Sequence, residues 1–555
     1  MQSPPPVAAA PPAADPRTTA KRRGVDTRRT ALLALLAVGV FLRLAQYAGD
    51  RSLWLDESLL ASSILGRSVG GLLEPLDYGQ TAPFGFLLLV KLATLLLGTS
   101  EYALRLVPFL AALAALALII PVARRYVGRV ALPVAVALFA LAPYLLYYSA
   151  EVKQYSLDVL VSLVVLCLAA DAADEARLTR RTALLLLGAG VAGVWLSQPA
   201  IFILAGTGLV LGLGAARAGD WGRARVLAGI GAAWLASFAG SYLVSRRGLA
   251  DPEYMQAFWK SGFFPLLPSS AREQLWLPVS FARVFREPLG VMGGNSSGFT
   301  LPQVAAGMVA FAAGALWMRK ARPARLALLG APLLLVLLAS ALRLYPFGST
   351  WSTGGRVLMF LIPTFVFLMA QGAEWLWGRF GKMAGVAAVA LMLIPSALYA
   401  VRTVPHARAE VKPLLQYANE HRAPGDLLYV YYNGRPTLEY YAPRYGWHAG
   451  NTIHGVCSRF QPAAYLDDLA RLRGRPRVWL LFVGGEGAEG FDERKLMISF
   501  LDHIGRRLDD RVSVGVSLYL YDLSAGNAKP GPLQLQIPSI RPTVELACRG
   551  PWGPR

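Results

Sequence analysis

Two adjacent carboxylates, Asp56 and Glu57 in RSLWLDESLL, stand just past the end of a long apolar run. A carboxylate in mid-bilayer costs roughly 2.5–3.5 kcal/mol, so the pair belongs at a membrane boundary, where one of them could accept a proton. Successive helical residues diverge by about 100° around the axis, so only one of the two can face a given reacting atom. The plainer reading is an interfacial helix start, with Trp54 in an aromatic belt. A second group, Glu151, Lys153 and Asp158, lies in YYSAEVKQYSLD at 147–158. Glu151 and Lys153 could form an ordinary solvated ion pair. Asp158 falls inside an apolar run and should face the bundle interior or a wet cavity. The third candidate is RLYPFGSTWSTGGR at 343–356, bracketed by Arg343 and Arg356. Glycines let backbone N–H groups approach an anion, and arginine holds phosphate oxygens in a two-pronged fork. Equally, these arginines could rest among lipid headgroups.

Other chemistry finds little support. There is no Walker loop, HExxH, CxxC pair or dinucleotide fingerprint in usable context, so nothing implies a nucleotide. The cysteines Cys167, Cys457 and Cys548 are too scattered for a metal cluster, and all five histidines lie beyond residue 400.

The elements that must position these residues are set by composition. Of 555 residues, 55% are hydrophobic and 16% charged, with a mean hydropathy of +0.43, which makes the bilayer the solvent for most of the chain. Lys and Arg outnumber Asp and Glu by 55 to 34, a formal charge of +21. In a soluble protein that excess would suggest nucleic acid. Here it is explained by cytoplasmic loops, with anionic lipids adding to the bias and no nucleic acid expected. Apolar runs at 31–47, 103–123, 130–148, 155–171, 181–197, 199–216, 226–245, 301–318, 326–343, 356–377 and 383–402 give about 11 spans. Arginine-rich loops after 123, 171, 216, 318 and 377 mark the cytoplasmic side. Their parity requires the apolar stretch 83–98 not to cross, and it is read as a helix on or dipping into the outer face.

Residues 1–29 read as a disordered basic cytoplasmic tail, 30–402 as the transmembrane domain, 403–524 as an exoplasmic α/β domain, and 525–555 as an irregular Pro/Gly-rich tail. The protein is thus expected in a cell's inner or plasma membrane, with the C-terminal domain outside (periplasmic). On that oxidising side Cys457 and Cys548 could pair.

The order of these pieces resembles a known family. A first span followed by LWLDE, then APFGFLLL, GTSEYALRLVPFL, RRYVGR and YYSAEVKQYSL is similar to the GT-C membrane glycosyltransferases of the protein O-mannosyltransferase and aminoarabinose-transferase type. The likeness covers about residues 30–200 and, weakly, GGRVLMFLIP at 354–363. It implies a helical polytopic fold and transfer of a sugar from a polyprenyl-phosphate donor to an acceptor lipid, glycan or protein on the outer face. By resemblance Asp56 is the catalytic base with Glu57 beside it, and a second acidic residue falls on Glu151 or Asp158. The chain departs from the family in having Lys153 where Arg is common and Gln80-Thr81-Ala82-Pro83 where His-Pro-Pro or similar is frequent, which puts the donor sugar and any metal ligand in doubt. The expected reaction is inverting, the lipid phosphate leaving into a basic pocket of Arg343, Arg356 and Lys153. A divalent metal on Asp56 and Glu151 stays open, and no other cofactor is implied. The rivals are a lipid-linked sugar transporter or flippase, for which no internal repeat is found, and a non-catalytic envelope-assembly scaffold.

Overall fold

The computed structural model describes residues 16–247, 256–286, 289, 300–348, 354–458, 462–484, 492–527 and 529. Helix α1 (Pro16–Ala48) begins within the stretch expected to be an irregular tail, and residues 1–15 lie outside the described residues. Among the described residues nine helices are long and apolar enough to cross a bilayer. A tenth span is broken. Its halves, α5 (Ala131–Leu141) and α6 (Pro143–Tyr147), meet at 51°, because Pro143 cannot donate to the preceding turn. The eleventh expected span is α8 (Arg180–Leu196), whose 17 residues extend about 26 Å, short of a ~30 Å hydrocarbon core. The protein is a multi-pass membrane protein.

Helix α2 (Leu55–Gly66) carries the LDE segment, and α3 (Phe84–Leu97) is the apolar stretch expected not to cross. At 14 residues α3 reaches only about 21 Å. Lys91, unexpected in so apolar a helix, donates from Nζ to the carbonyls of Ile64 and Leu65 at 2.8 and 3.3 Å and so closes the C-terminal end of α2.

Behind them stand α4 (Glu101–Tyr126) and α7 (Tyr155–Asp174), which pack on each other. Ser100 caps α4 by accepting from the amide of Ala103, and Arg125 near its C-terminal end forks onto Asp171 of α7 at 2.6 and 3.0 Å. The bundle continues through α9 (Ala200–Arg217), α10 (Trp221–Arg247), the short α11 (Trp276–Arg286), α12 (Thr300–Ala321) and α13 (Pro323–Ala341). A 3-10 segment, Gly354–Leu361, then leads into α14 (Ile362–Phe380), and α15 (Lys382–Thr403) completes the bundle. Helices α12 and α14 approach so closely that a Cβ at Gly372 would stand 1.7 Å from the Ala310 carbonyl oxygen. Small residues drive such packing where no water is expelled between helices.

After α15 the chain forms the expected α/β domain. Its helices are α16 (Lys412–His421), α17 (Arg435–Tyr441), α18 (Pro462–Ala470) and α19 (Glu493–Ile504). The strands β1 (Leu427–Val430), β2 (Thr452–His454), β3 (Val478–Val483), β4 (Arg506–Ser513) and β5 (Val516–Asp522) form one sheet ordered β2-β1-β3-β5-β4. Pairing is parallel from β2 to β3 and antiparallel beyond. Strand β4, RRLDDRVS, escapes a hydrophobic-pattern reading because it is a polar edge.

This domain is not a loose appendage. Leu53, Leu60, Phe86 and Leu104 of the membrane part share one buried core with Val411, Leu415, Tyr441 and Trp479. The Cys548 half of the expected disulfide lies outside the described residues; Cys457 is disulfide-bonded and Cys167 is a free thiol.

Candidate active site

The site is built where α2 starts. Glu57, wholly buried, accepts from Arg105 Nε and Nη2 at 2.8 and 2.6 Å and from the amide of Val152 at 3.0 Å. One carboxylate thus ties three pieces together: the start of α2, helix α4 and the 151–154 turn. Arg105 also donates to the carbonyls of Arg51 and Ser52 at 2.8 and 3.1 Å. Glu151, also fully buried, takes Arg51 at 3.1 Å and the Trp54 indole N–H at 2.5 Å. Burial, with Glu57 nearby, pushes the Glu151 carboxyl up to about 7, while Arg51, Arg105 and Arg408 hold it down.

With Glu57 locked inward, the next residue around the helix faces the other way. Asp56 keeps a fifth of its side-chain surface exposed and pairs with Arg356 Nη1 at 2.9 Å. Burial favours its neutral form, but Arg356, Lys153 and Arg408 outweigh that and hold the carboxyl below its usual range. Lys153 is buried and donates to Gln80 Oε1 at 2.8 Å. Burial lowers its ammonium and Arg356 adds to that, against the pull of Asp56.

Arg408, which the sequence did not single out, completes the cluster. It leaves the bundle five residues past α15, stacks 4.4 Å from the ring centres of both Trp54 and Tyr147, and donates to the Tyr148 hydroxyl at 3.4 Å. Burial opposes its charge, but Tyr147, Tyr148 and Glu151 more than restore it. Arg408 Nη1 and Arg356 Nε are buried without a hydrogen-bond partner. One carboxylate therefore faces three cations, two of them with unused donors, an arrangement chemically suited to holding an anion beside a base. The only hint of Arg408 in the sequence is its place directly after the last span, which it shares with any snorkelling arginine.

Of the expected site residues, Asp56, Lys153 and Arg356 come together. The carboxylates of Glu57, which stands beside the expected base, and of Glu151, one of the two candidates for the second acidic residue, are both taken by internal donors. Asp158 is not among the groups acting on Asp56, and Tyr155 lies within electrostatic reach of Arg356, Asp56 and Asp158. Arg343 is exposed, and its guanidinium makes no contact with the cluster among the described residues. It sits in a turn after α13 at φ +57°, and residues 349–353 lie outside the described residues. A divalent metal held by Asp56 and Glu151 does not fit. Arg51 and Trp54 occupy Glu151, and among the described residues no three His, Cys, Asp or Glu side chains could hold an ion.

No protein-family model and no curated protein sequence matches the chain. Solved structures do. ArnT from Cupriavidus metallidurans bound to undecaprenyl phosphate superposes with a TM-score of 0.54 at 14% identity, over 90% of this chain and 99% of that one. Its apo form gives 0.52 with the same identity and coverage. The fold is that of the GT-C membrane glycosyltransferases. The archaeal oligosaccharyltransferase AglB from Archaeoglobus fulgidus, in complex with an inhibitory peptide and a dolichol-phosphate, matches at a TM-score of 0.46 and 12% identity, over 88% of this chain and 74% of that one. In this fold the acidic start of α2 and the cations around it stand at the seam between the helical bundle and the C-terminal domain.

Proposed function

We propose that the protein transfers a sugar from a polyprenyl-phosphate donor to an acceptor hydroxyl on the exoplasmic face of a cell's inner or plasma membrane. The observation that carries this reading is a single accessible carboxylate, Asp56, ringed by Arg356, Lys153 and Arg408 in a GT-C fold. The N-terminus is then cytoplasmic and the C-terminal domain exoplasmic, in line with the arginine-rich loops on the opposite side. The neighbour ArnT, crystallised with undecaprenyl phosphate, supports a lipid phosphate as the donor's anionic group.

The chemistry follows from the ion pair. Arg356 holds Asp56 ionised but weakly basic. A donor phosphate competes for Arg356 and takes up the unused Nε and the Arg408 Nη1 donors. Asp56 then loses its strongest partner and becomes a better base. It accepts the acceptor hydroxyl proton as that oxygen bonds to the anomeric carbon from the face opposite the phosphate. The bond from that carbon to the phosphate oxygen breaks, its electron pair staying on the phosphate, where Arg356, Lys153 and Arg408 meet the charge. Attack from the opposite face inverts the anomeric configuration.

The test is transfer by the full-length protein in proteoliposomes supplied with undecaprenyl-phosphate sugars and a lipid or peptide hydroxyl acceptor, with the product's anomeric configuration read by NMR. Asp56→Asn should lose about 100- to 10,000-fold in turnover. Wild-type turnover in Asp56→Asn, or product of retained configuration, would sink the mechanism.

A further inference from the structure

Near the cationic cluster, three polar atoms are buried without a hydrogen-bond partner: Asp158 Oδ1, Ser197 Oγ and Gln154 Oε1. Asp158 is 3% exposed and Ser197 is fully buried. Gln154 and Asp158 are four residues apart at the start of α7, linked by a backbone hydrogen bond of 3.0 Å, so their side chains share one face. Ser197 comes from the turn between α8 and α9 and sets its hydroxyl toward the Asp158 carboxyl. Tyr155 lies within electrostatic reach of both Asp158 and Arg356, and Tyr345 within reach of Asp158, its own hydroxyl spent on the Val357 carbonyl at 2.7 Å.

No Lys or Arg pairs with Asp158 among the described residues, and its Oδ1 is left without a hydrogen-bond partner, the Ser197 hydroxyl being the one neighbour set toward the carboxyl. Buried polar atoms are nearly always satisfied, and one left open near a reaction centre points to a ligand group. The chemistry here is the reverse of the phosphate pocket. Asp158 and Gln154 offer acceptors and Ser197 offers either role, beside an aromatic ring. Such a group suits the hydroxyls of a sugar ring and repels an anion.

We infer that Asp158, Gln154 and Ser197 form the subsite that holds a hydroxyl of the donor sugar, with Tyr155 beside it. The inference rests on the reading of the site as one for a lipid-phosphate sugar. The opposite polarity of the two subsites orients the donor, phosphate toward Arg356 and Arg408 and sugar toward Asp158.

The experiment measures binding to the full-length protein in nanodiscs. Its probes are bare undecaprenyl phosphate and undecaprenyl phosphates carrying glucose, mannose, galactose or arabinofuranose, then single-deoxy versions of the best-bound member. The wild type should bind that member more tightly than the bare lipid phosphate. Asp158→Asn, which keeps the shape, should remove roughly 10- to 100-fold of this gain, the range for a hydrogen bond to a charged group, and leave bare undecaprenyl phosphate unaffected. One deoxy analogue should bind the wild type as weakly as its parent binds Asp158→Asn, and should not weaken further in that variant. Because the analogues are read on the wild type, this arm survives a variant that fails to fold. A full sugar gain in Asp158→Asn, no gain from any sugar, or no deoxy analogue that reproduces the loss overturns the subsite. Failure of the wild type to bind bare undecaprenyl phosphate instead overturns the phosphate pocket on which it rests.

Discussion

Glu57 and Asp56 are neighbours in sequence with opposite environments, and the difference is one of hydrogen-bond accounting. Glu57 is a fully buried anion whose four donors, Arg105 Nε, Arg105 Nη2 and the Val152 and Trp54 amides, hold the site's backbone in place. Glu57→Gln should therefore act on stability. It leaves Arg105 buried without its counter-charge, at a cost of about 3–5 kcal/mol in unfolding experiments, and activity should fall in step with the folded fraction. A Glu57→Gln protein of native stability but no turnover would reverse the roles of the pair. His406 makes a second prediction at this scale. Burial, together with Arg408 and Arg51, lowers its imidazole to about 4, so the folded protein holds it neutral while an unfolded chain protonates near 6.5. The unfolded state thus binds more protons between those values, and folding stability rises with pH from about 4 to 6.5 and levels off above. Lowering the pH from 7 to 5 should cost on the order of 2 kcal/mol through this residue, visible as a drop in Tm that shrinks in His406→Gln.

At the scale of elements, α3 decides the topology. The arginine pattern demands that it not cross, and its 14 residues are too short to do so. A cysteine introduced at Ser100, in the turn between α3 and α4, should then react with a membrane-impermeant thiol reagent added from the outside of intact cells. Labelling only after the inner face is exposed would reverse every loop. Helices of full spanning length were legible because about 20 apolar residues in a row have few other solutions in water or lipid. The break between α5 and α6 at Pro143 and the 17-residue α8 were not legible, because run length alone hides a bend and inflates a short helix.

At the scale of the molecule, the C-terminal domain is part of the site. Glu101 at the N-terminal end of α4 is held by Arg444 at 3.1 Å, Lys412 at 3.4 Å and the Tyr441 hydroxyl at 2.9 Å, all from that domain. Thr437 meets Ser58 of α2 at 3.0 Å. The segment joining the domain to the bundle carries Arg408, so the docking of the domain sets one wall of the anion pocket. Glu101→Ala should loosen that docking by about 2 kcal/mol, less than for a fully buried pair because Arg444 is 39% exposed. Undecaprenyl-phosphate affinity should fall with it, although Glu101 does not touch the cluster. Unchanged affinity alongside a loosened domain, read by limited proteolysis, would detach Arg408 from the docking.

What the sequence by itself determined is whatever depends on neighbours along the chain: spans from apolar run length, the α/β character from alternating strands, and an expected sidedness from the arginine-rich loops that the labelling at Ser100 tests. Only the tertiary structure decided which charges pair. Whether a carboxylate is a locked strut like Glu57 and Glu151 or an open one like Asp56, and whether an arginine joins the cluster like Arg408 or stays at the surface like Arg343, depends on partners far along the chain, such as Arg356 on Asp56 and Arg408 on Trp54. Coulomb and hydrogen-bond energies depend on distance and burial in space, and neither quantity is written in residue order.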